Sequence, residues 1–474
     1  MANAKMTFLS ESEIELIHTQ SLRALKEIGI KVHSIPTLKL LEAKGADVDF
    51  DTYVAKLSEA VVADALNSAP KTFTLCARDP QNDLVMPSHP RPYATTSGLA
   101  VFVTDYETGE YRHSTRRDIA AFARLGDALS PDFLWTAITA NDVPEFSHGP
   151  HELWQTMQNT QKHVQGVTVQ SAQDANIQVE LAALIAGGRE ALKERPLMSV
   201  ISCPLAPLSF ETGAIEAQVE FAKAGIPICS MSMSLGGLSA PVTVAGMMMN
   251  ANAENLASLV ITQAAASGAP HIYTSESAPM DMLTGNINYG APEKALVSYG
   301  LGQMARRYGL PCLVADTGFG DDIKGGLEDV QFIANQFIGL AAYTDIITGM
   351  GCVDDAKGIS FEQLVVDAYM WDFFRDFLKE IEISEEMMGF DAIKAVGHGG
   401  DFLSSDHTLK YLRSDLTQWD RSKLNLLALD KDEMPREANR IVKQVLADHE
   451  VPALDEAILC EGDEILKAYE NEMK

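Results

Sequence analysis

The sequence predicts an α/β chain: a TIM (β/α)8 barrel with an N-terminal α+β extension and a C-terminal helical addition. Two observations predict the barrel. Pro196, Pro227, Pro270 and Pro311 each open a short apolar run (LMSVIS, ICSMS, HIYTS and CLVAD), at spacings of 31, 43 and 41 residues. Proline has no N–H to give a ladder, so it is tolerated at the first residue of a strand. Near-continuous apolar runs read as parallel strands buried on both faces. A helix-length segment also fills each gap, and repeated strand–helix units of this size build a (β/α) barrel. In that fold the chemistry sits at the C-terminal ends of the strands.

The extension, residues 1–92, begins with a capped helix. Ser10 is its N-cap, and Glu13, three residues on, completes a capping box. Ile14, Leu16, Ile17, Leu22, Leu25 and Ile28 give the apolar stripe, and Gly29 ends it. Further helices are expected near Ser34 to Lys44 and Ser58 to Ser68, then a β-rich stretch from Lys71 to Arg112. The barrel, residues 93–382, counts out as eight strand–helix units. The first strand is expected near Ala94 to Thr104 and the second over Phe133 to Ala140. Val164 to Val169, Leu197 to Ser202, Ile228 to Met233, His271 to Ser275, Cys312 to Ala315 and Asp345 to Thr348 follow. The long segment Ala240 to Ser267 reads as a buried barrel helix, and another helix is expected over Gly326 to Ala342. Residues 383–474 form the helical addition, with a Gly-rich loop from Gly397 to Asp401.

Composition narrows the function. The chain has 474 residues, 46% of them hydrophobic, which is ample for one large core. No run of 18 apolar residues exists and the first ten residues resemble no signal peptide, so no membrane span or anchor is expected. The six cysteines are scattered without a CxxC pair, which suggests a reducing cytoplasm. The net charge of −29 argues against nucleic acid, because phosphate neutralisation needs clustered Lys and Arg. It fits solubility, or an acidic surface suited to a cationic substrate or a basic partner.

The strand ends carry the candidate chemistry. Glu276 and Asp316 end adjacent strands and are the candidate catalytic pair, a negative wall for a cation. Met231, Met233, Met280 and Met282 read as adaptable apolar lining. Tyr93 and Phe319 are candidates to cage a quaternary ammonium by cation–π contact. Gly318, Gly320, Gly325, Gly326, Gly349 and Gly351 crowd the last two loops, which suits a phosphate or a flat partner over the mouth. No lysine is expected at a strand end, which argues against a Schiff-base aldolase. Cys203 and Cys352 are placed to reach the mouth, whereas Cys229 and Cys312 begin their strands. No clear metal-ligand cluster recurs, so no metal is expected.

Five long runs carry a resemblance. They are Gly98 to Ser130 (GLAVFVTDYETGEYRHSTRRDIAAFARLGDALS), Met231 to Met247 (MSMSLGGLSAPVTVAGM) and Ser275 to Ile287 (SESAPMDMLTGNI). Thr344 to Asp367 (TDIITGMGCVDDAKGISFEQLVVD) and Gly397 to Asp415 (GHGGDFLSSDHTLKYLRSD) complete the set. In this order they resemble the trimethylamine methyltransferase (MttB) superfamily over roughly residues 10 to 420. Only ordinary residues occur, so the likeness is to the non-pyrrolysine branch, which acts on quaternary amines such as glycine betaine, carnitine or proline betaine. Asp401 departs from the pattern, where a histidine is expected.

The resemblance implies methyl transfer to Co(I) of a separate corrinoid protein that docks over the mouth, and a homo-oligomer. A quaternary ammonium leaves as a neutral amine and needs no general acid. The site then has mainly to orient the N–CH3 bond and exclude water. On this reading Tyr93, Gln170, Met233, Phe319 and His398 contact the substrate, and Gln170, His398 or an Arg serves a substrate carboxylate. Gly318, Gly349, Gly351 and His407 face the corrin. Two other readings stay open: a metal-dependent barrel lyase or hydrolase with its ion at Asp316 and Glu276, and a non-catalytic betaine-binding module.

Overall fold

A computed structural model describes residues 7–88, 91–316, 344–354, 356–377, 382–412, 426, 429–430 and 433–473. One sheet holds eight parallel strands: β1 (Tyr93–Thr96), β2 (Leu134–Trp135), β3 (Val164–Gly166), β4 (Met198–Ser202), β5 (Ile228–Ser232), β6 (His271–Ser275), β7 (Cys312–Asp316) and β8 (Ile346–Met350). Their order is β1-β8-β7-β6-β5-β4-β3-β2. A parallel bridge from Thr95 to Phe133 closes the ring. Strands β4, β5, β6 and β8 are buried at every residue, as continuous apolar runs require. The prolines before β5, β6 and β7 act as acceptors only. Val200, Ile228 and Tyr273 donate their amides to the carbonyls of Pro227, Pro270 and Pro311 at 3.0, 3.1 and 2.9 Å.

The first two strands are shorter than the sequence suggests. β1 ends at Thr96 because the chain must turn over an indole: a Cβ on Gly98 would lie 2.3 Å from Trp135 Cε3. Phe102–Thr104 then joins a separate four-stranded sheet with Tyr111–His113, Gly358–Ser360 and Cys352–Val353. β2 stops at Trp135 rather than Ala140.

Helices Arg116–Ala128, His148–Gln158, Ala172–Ala186, Thr212–Lys223, Val244–Ala265, Pro292–Tyr308 and Phe361–Phe377 surround the barrel. The helix expected over 326–342 lies outside the described residues. At the N-terminus Ser10 and Glu13 form the expected capping box, and Ser34 and Ser58 cap the next two helices. These three helices, Glu11–Glu27, Ile35–Ala43 and Glu59–Ser68, pack on Val244–Ala265. Covered on both sides, that helix buries Asn250, Asn252, Glu254 and Asn255.

The barrel floor is plugged. A hairpin of Phe73–Leu75 and Leu84–Met86 sends Leu75, Leu84 and Met86 into the apolar cluster that fills the barrel, beside Phe133, Ile201, Cys229, Ile272, Leu313 and Ile346. It is tied to the strands' N-terminal ends. His163 Nδ1 lies 2.8 Å from the Cys76 carbonyl, and Tyr93 Oη donates to the Val85 carbonyl at 3.2 Å. At the C-terminus, Met434–Asp448 packs on Arg116–Ala128 and Phe361–Phe377, and Glu456–Glu472 packs on Ala172–Ala186 and His148–Gln158.

Candidate active site at the barrel mouth

The mouth is built from the ends of β3 to β6. Val167, Ile201 and Met231 are part of the interior cluster, with Met233 half-buried at its upper edge. Cys203 follows β4 and is accessible from solvent. Enclosure by the barrel wall, with the charge of Glu276 added, pushes its thiol up to about 11, so the sulfur stays protonated at neutral pH. Glu276 follows β6, and its amide donates to the Ser232 carbonyl at 3.0 Å. Lys294 Nζ lies 3.5 Å from Glu276 Oε2, and both side chains are largely buried, at 8% and 14% exposure. The same Nζ stands 5.5 Å from the centre of the Tyr289 ring. Beside Cys203 a cavity of about 120 Å³ opens between β3, β4 and the helix Thr212–Lys223, lined by Val167, Ile201, Ser202, Gln218 and Phe221.

A buried polar network supports this wall. The Glu254 carboxylate accepts from Ser232 Oγ, from the Leu208 amide at 2.9 Å and from Asn250 Nδ2 at 2.9 Å. Burial holds its pKa above the usual carboxylate range. Asn250 also donates to Ser234 Oγ at 2.8 Å, and Ser277 Oγ accepts from the Ser234 amide at 2.9 Å. The ends of β5 and β6 are thereby fixed to one helix, which orients Met233 and Glu276.

The structure brings Met233 and Glu276 together at the mouth. Asp316 ends β7 in register with Thr348. Gly318 and Phe319 lie outside the described residues. Tyr93 is a correction: it opens β1, and in a parallel barrel all first residues gather at the plugged floor, away from the mouth. Gln170 is exposed beyond β3, and its Nε2 donates to the Glu145 carbonyl at 2.9 Å, bracing two loops. Gly349 has φ 119° at the register shift between Ile347 and Met350, so a β-bulge requires this glycine. Gly351 is a second correction. A Cβ there would lie 2.7 Å from Phe122 Cζ, so it faces the helical layer and not a docking partner. His398 is exposed in a turn. His407 packs within the C-terminal helices, its Nε2 3.2 Å from the Glu386 carbonyl and its ring 4.9 Å from Tyr411. Among the described residues no hydrogen bond or ring contact ties either histidine to the barrel. Cys352 is half-buried in the outer sheet. No group of three or more metal-ligating side chains occurs among the described residues.

The family model described as trimethylamine methyltransferase (MTTB) matches residues 2–473. The chain belongs to the trimethylamine methyltransferase family. A relative named trimethylamine methyltransferase MttB, from Desulfitobacterium hafniense strain DSM 10664 / DCB-2, is 32% identical over 98% of this chain and 94% of its own length. A glycine betaine methyltransferase from Desulfitobacterium hafniense strain Y51 is 30% identical over 96% of this chain and 95% of its own. In fold the chain is similar to the crystal structure of the Methanosarcina barkeri monomethylamine methyltransferase. The TM-score is 0.56 at 11% identity, covering 94% of this chain and 88% of that one.

For this family member, sequence reasoning missed Lys294. Among the described residues no strand end carries a lysine, as expected from the sequence, but Lys294 returns to the end of β6 from the following helix. A signal was present. Lys294 stands in the first turn of Pro292–Tyr308, at the positive end of the helix dipole where acids are favoured. A lysine there, buried to 6% exposure, calls for an anionic partner.

Proposed function

We propose that the chain is a corrinoid-dependent methyltransferase whose methyl donor is a zwitterionic quaternary amine, glycine betaine or a relative such as carnitine or proline betaine. The observation that carries the reading is the Glu276–Lys294 pair, set beside the apolar cluster that includes Ile201 and Met231. A betaine carries a permanent cation and a carboxylate. Glu276 complements the first and Lys294 the second. Trimethylamine has no anionic end, so with that donor Lys294 would serve only to offset Glu276. Apolar walls around Met233, Val167 and Ile201 accept the N-methyl groups and exclude water. The two Desulfitobacterium relatives support methyl transfer and differ in the amine that their names give.

The acceptor is Co(I) of a corrinoid carried by a separate protein, a co-substrate that supplies the nucleophilic electron pair. A bond forms from that pair to the methyl carbon while the C–N bond breaks, and its electrons go to nitrogen. The leaving amine departs neutral, so the site needs no proton donor. This chain's part is to fix the ammonium against Glu276 with one methyl aimed out of the mouth. Cys203, held as a thiol, does not compete as nucleophile. The six free cysteines support a reducing cytoplasm as its compartment. A homo-oligomer, which the family resemblance implies, is part of the proposal, and light scattering tests it.

The deciding experiment presents a panel of amines with chemically reduced cob(I)alamin and follows methylcobalamin by absorbance. Betaines are expected to outrun choline, tetramethylammonium and trimethylamine. Preference for a donor without a carboxylate would overturn the zwitterion reading, and turnover without any corrinoid would overturn the acceptor.

A further inference from the structure

We infer that the corrinoid protein docks on an apolar platform raised by the loops after β4, β5 and β6. This rests on the proposed methyl transfer and adds the partner's footprint. Large apolar side chains crown these loops: Leu205 at 55% exposure, Leu238 at 71%, Val242 at 64%, Met282 at 68% and Leu283 at 97%. Charge is depleted in the same loops. Residues 204–210 and 234–243 contain no charged side chain and 277–291 contain only Asp281, in a chain that is 22% charged. Exposed apolar crests with few charges are the composition of an interface core.

The platform is pre-organised. Gly236 and Pro279 form a parallel bridge between the second and third loops. The Gly236 amide donates to the Ala278 carbonyl at 3.0 Å, and the Met280 amide to the Gly236 carbonyl at 3.1 Å. Gly237, at φ 95°, brings the backbone close enough that a Cβ would lie 2.8 Å from Met282 Sδ. In the first loop Leu205 and Ser209 exchange backbone hydrogen bonds at 2.8 and 3.1 Å. Tied loops lose little conformational entropy on docking.

The occupant follows from place and charge. These loops rise from the strand ends that carry Cys203, Met233 and Glu276, the side from which an acceptor must approach. A second copy of this chain seated there would cap the mouth and bar that acceptor. A lipid surface is disfavoured, because the three loops offer no Lys or Arg to anionic headgroups. A protein that presents an uncharged apolar rim around its corrinoid fits.

The test uses full-length enzyme with Leu238→Glu, Leu283→Glu and the double substitution, each checked for an unchanged melting temperature. The probes are free cob(I)alamin and a corrinoid carrier protein that wild-type enzyme methylates. Each single variant is expected to raise KM for the carrier protein at least tenfold, with the rate to free cob(I)alamin and the amine KM unchanged. A carrier KM within twofold of wild type in the double variant overturns the footprint alone. Dissociation of an oligomer by these substitutions assigns the platform to a second copy and also overturns it. Wild-type enzyme that methylates neither acceptor sinks the functional reading itself, and this partner with it.

Discussion

On the proposed reading Lys294 and Glu276, 18 residues apart in the chain, select the substrate together. Each charge is costly to bury alone, and each offsets the other at 3.5 Å. A betaine can engage both partners by matching their polarity. Separate substitutions should therefore have separate signatures. Lys294→Gln is expected to raise the betaine KM roughly ten- to hundredfold, the scale of one lost charge-assisted hydrogen bond, and not to weaken tetramethylammonium, whose cation meets a Glu276 no longer offset by the lysine. Glu276→Gln should weaken both donors, because both are cations. Steady-state kinetics on the two amines read this directly, and equal losses for both donors in Lys294→Gln would remove the lysine from substrate binding.

At the scale of the element, the helix His148–Gln158 carries a buried acid that couples stability to pH. Glu152 is fully buried, with Oε1 accepting from the Ala140 amide at 3.3 Å. Desolvation, with nearby Asp174 adding to it, pushes its carboxyl from 4.5 up to about 8. The folded state thus holds this proton more tightly than the unfolded chain. Below pH 4.5 both states are protonated and the stabilising difference is fully present. It is lost as pH rises through 8. Glu152→Gln keeps the shape and removes the titration. Its melting temperature relative to wild type is expected to climb between pH 5 and pH 8, and parallel pH profiles for the two proteins would refute the assignment.

Elements also show what was legible beforehand. The proline-led runs marked β4 to β7, because a missing N–H and an apolar run are local properties. The N-terminal helices were legible from Ser10, Ser34 and Ser58 for the same reason. The ends of β1 and β2 were not, since only the indole of Trp135 beneath Gly98 shows where the chain must leave the sheet. Gly351 looked like a docking residue until Phe122 appeared against it, and Tyr93 like a rim residue until its strand had a direction. Lys294 needed a contact across a loop, which no local pattern supplies beyond its awkward place in a helix's first turn.

The whole molecule joins these pieces through its termini. The last helix, Glu456–Glu472, seats Gly462 so closely on Trp154 that a Cβ would lie 2.1 Å from its Cζ2, and Asp463 accepts from the indole N–H at 3.2 Å. His151 and Glu470 pair at 3.0 Å beside it. The helix that bears Glu152 is thus clamped from outside as its loop reaches the mouth. The N-terminal helices play the same part for Val244–Ala265, whose Glu254 and Asn250 steady β5. Both ends of the chain brace helices whose inner sides position the site.

The base of the barrel is stoppered by Leu75, Leu84 and Met86, and on the proposed reading traffic through the mouth is therefore serial. If the carrier protein settles on the rim as proposed, the amine enters before it and the demethylated product leaves only after the carrier lets go. Velocity plotted against carrier concentration is therefore expected to rise, peak and fall, as early-arriving carrier shuts empty enzyme into a dead-end complex. Excess amine should relieve that inhibition. A curve that saturates without a decline would mean the barrel has a second way in.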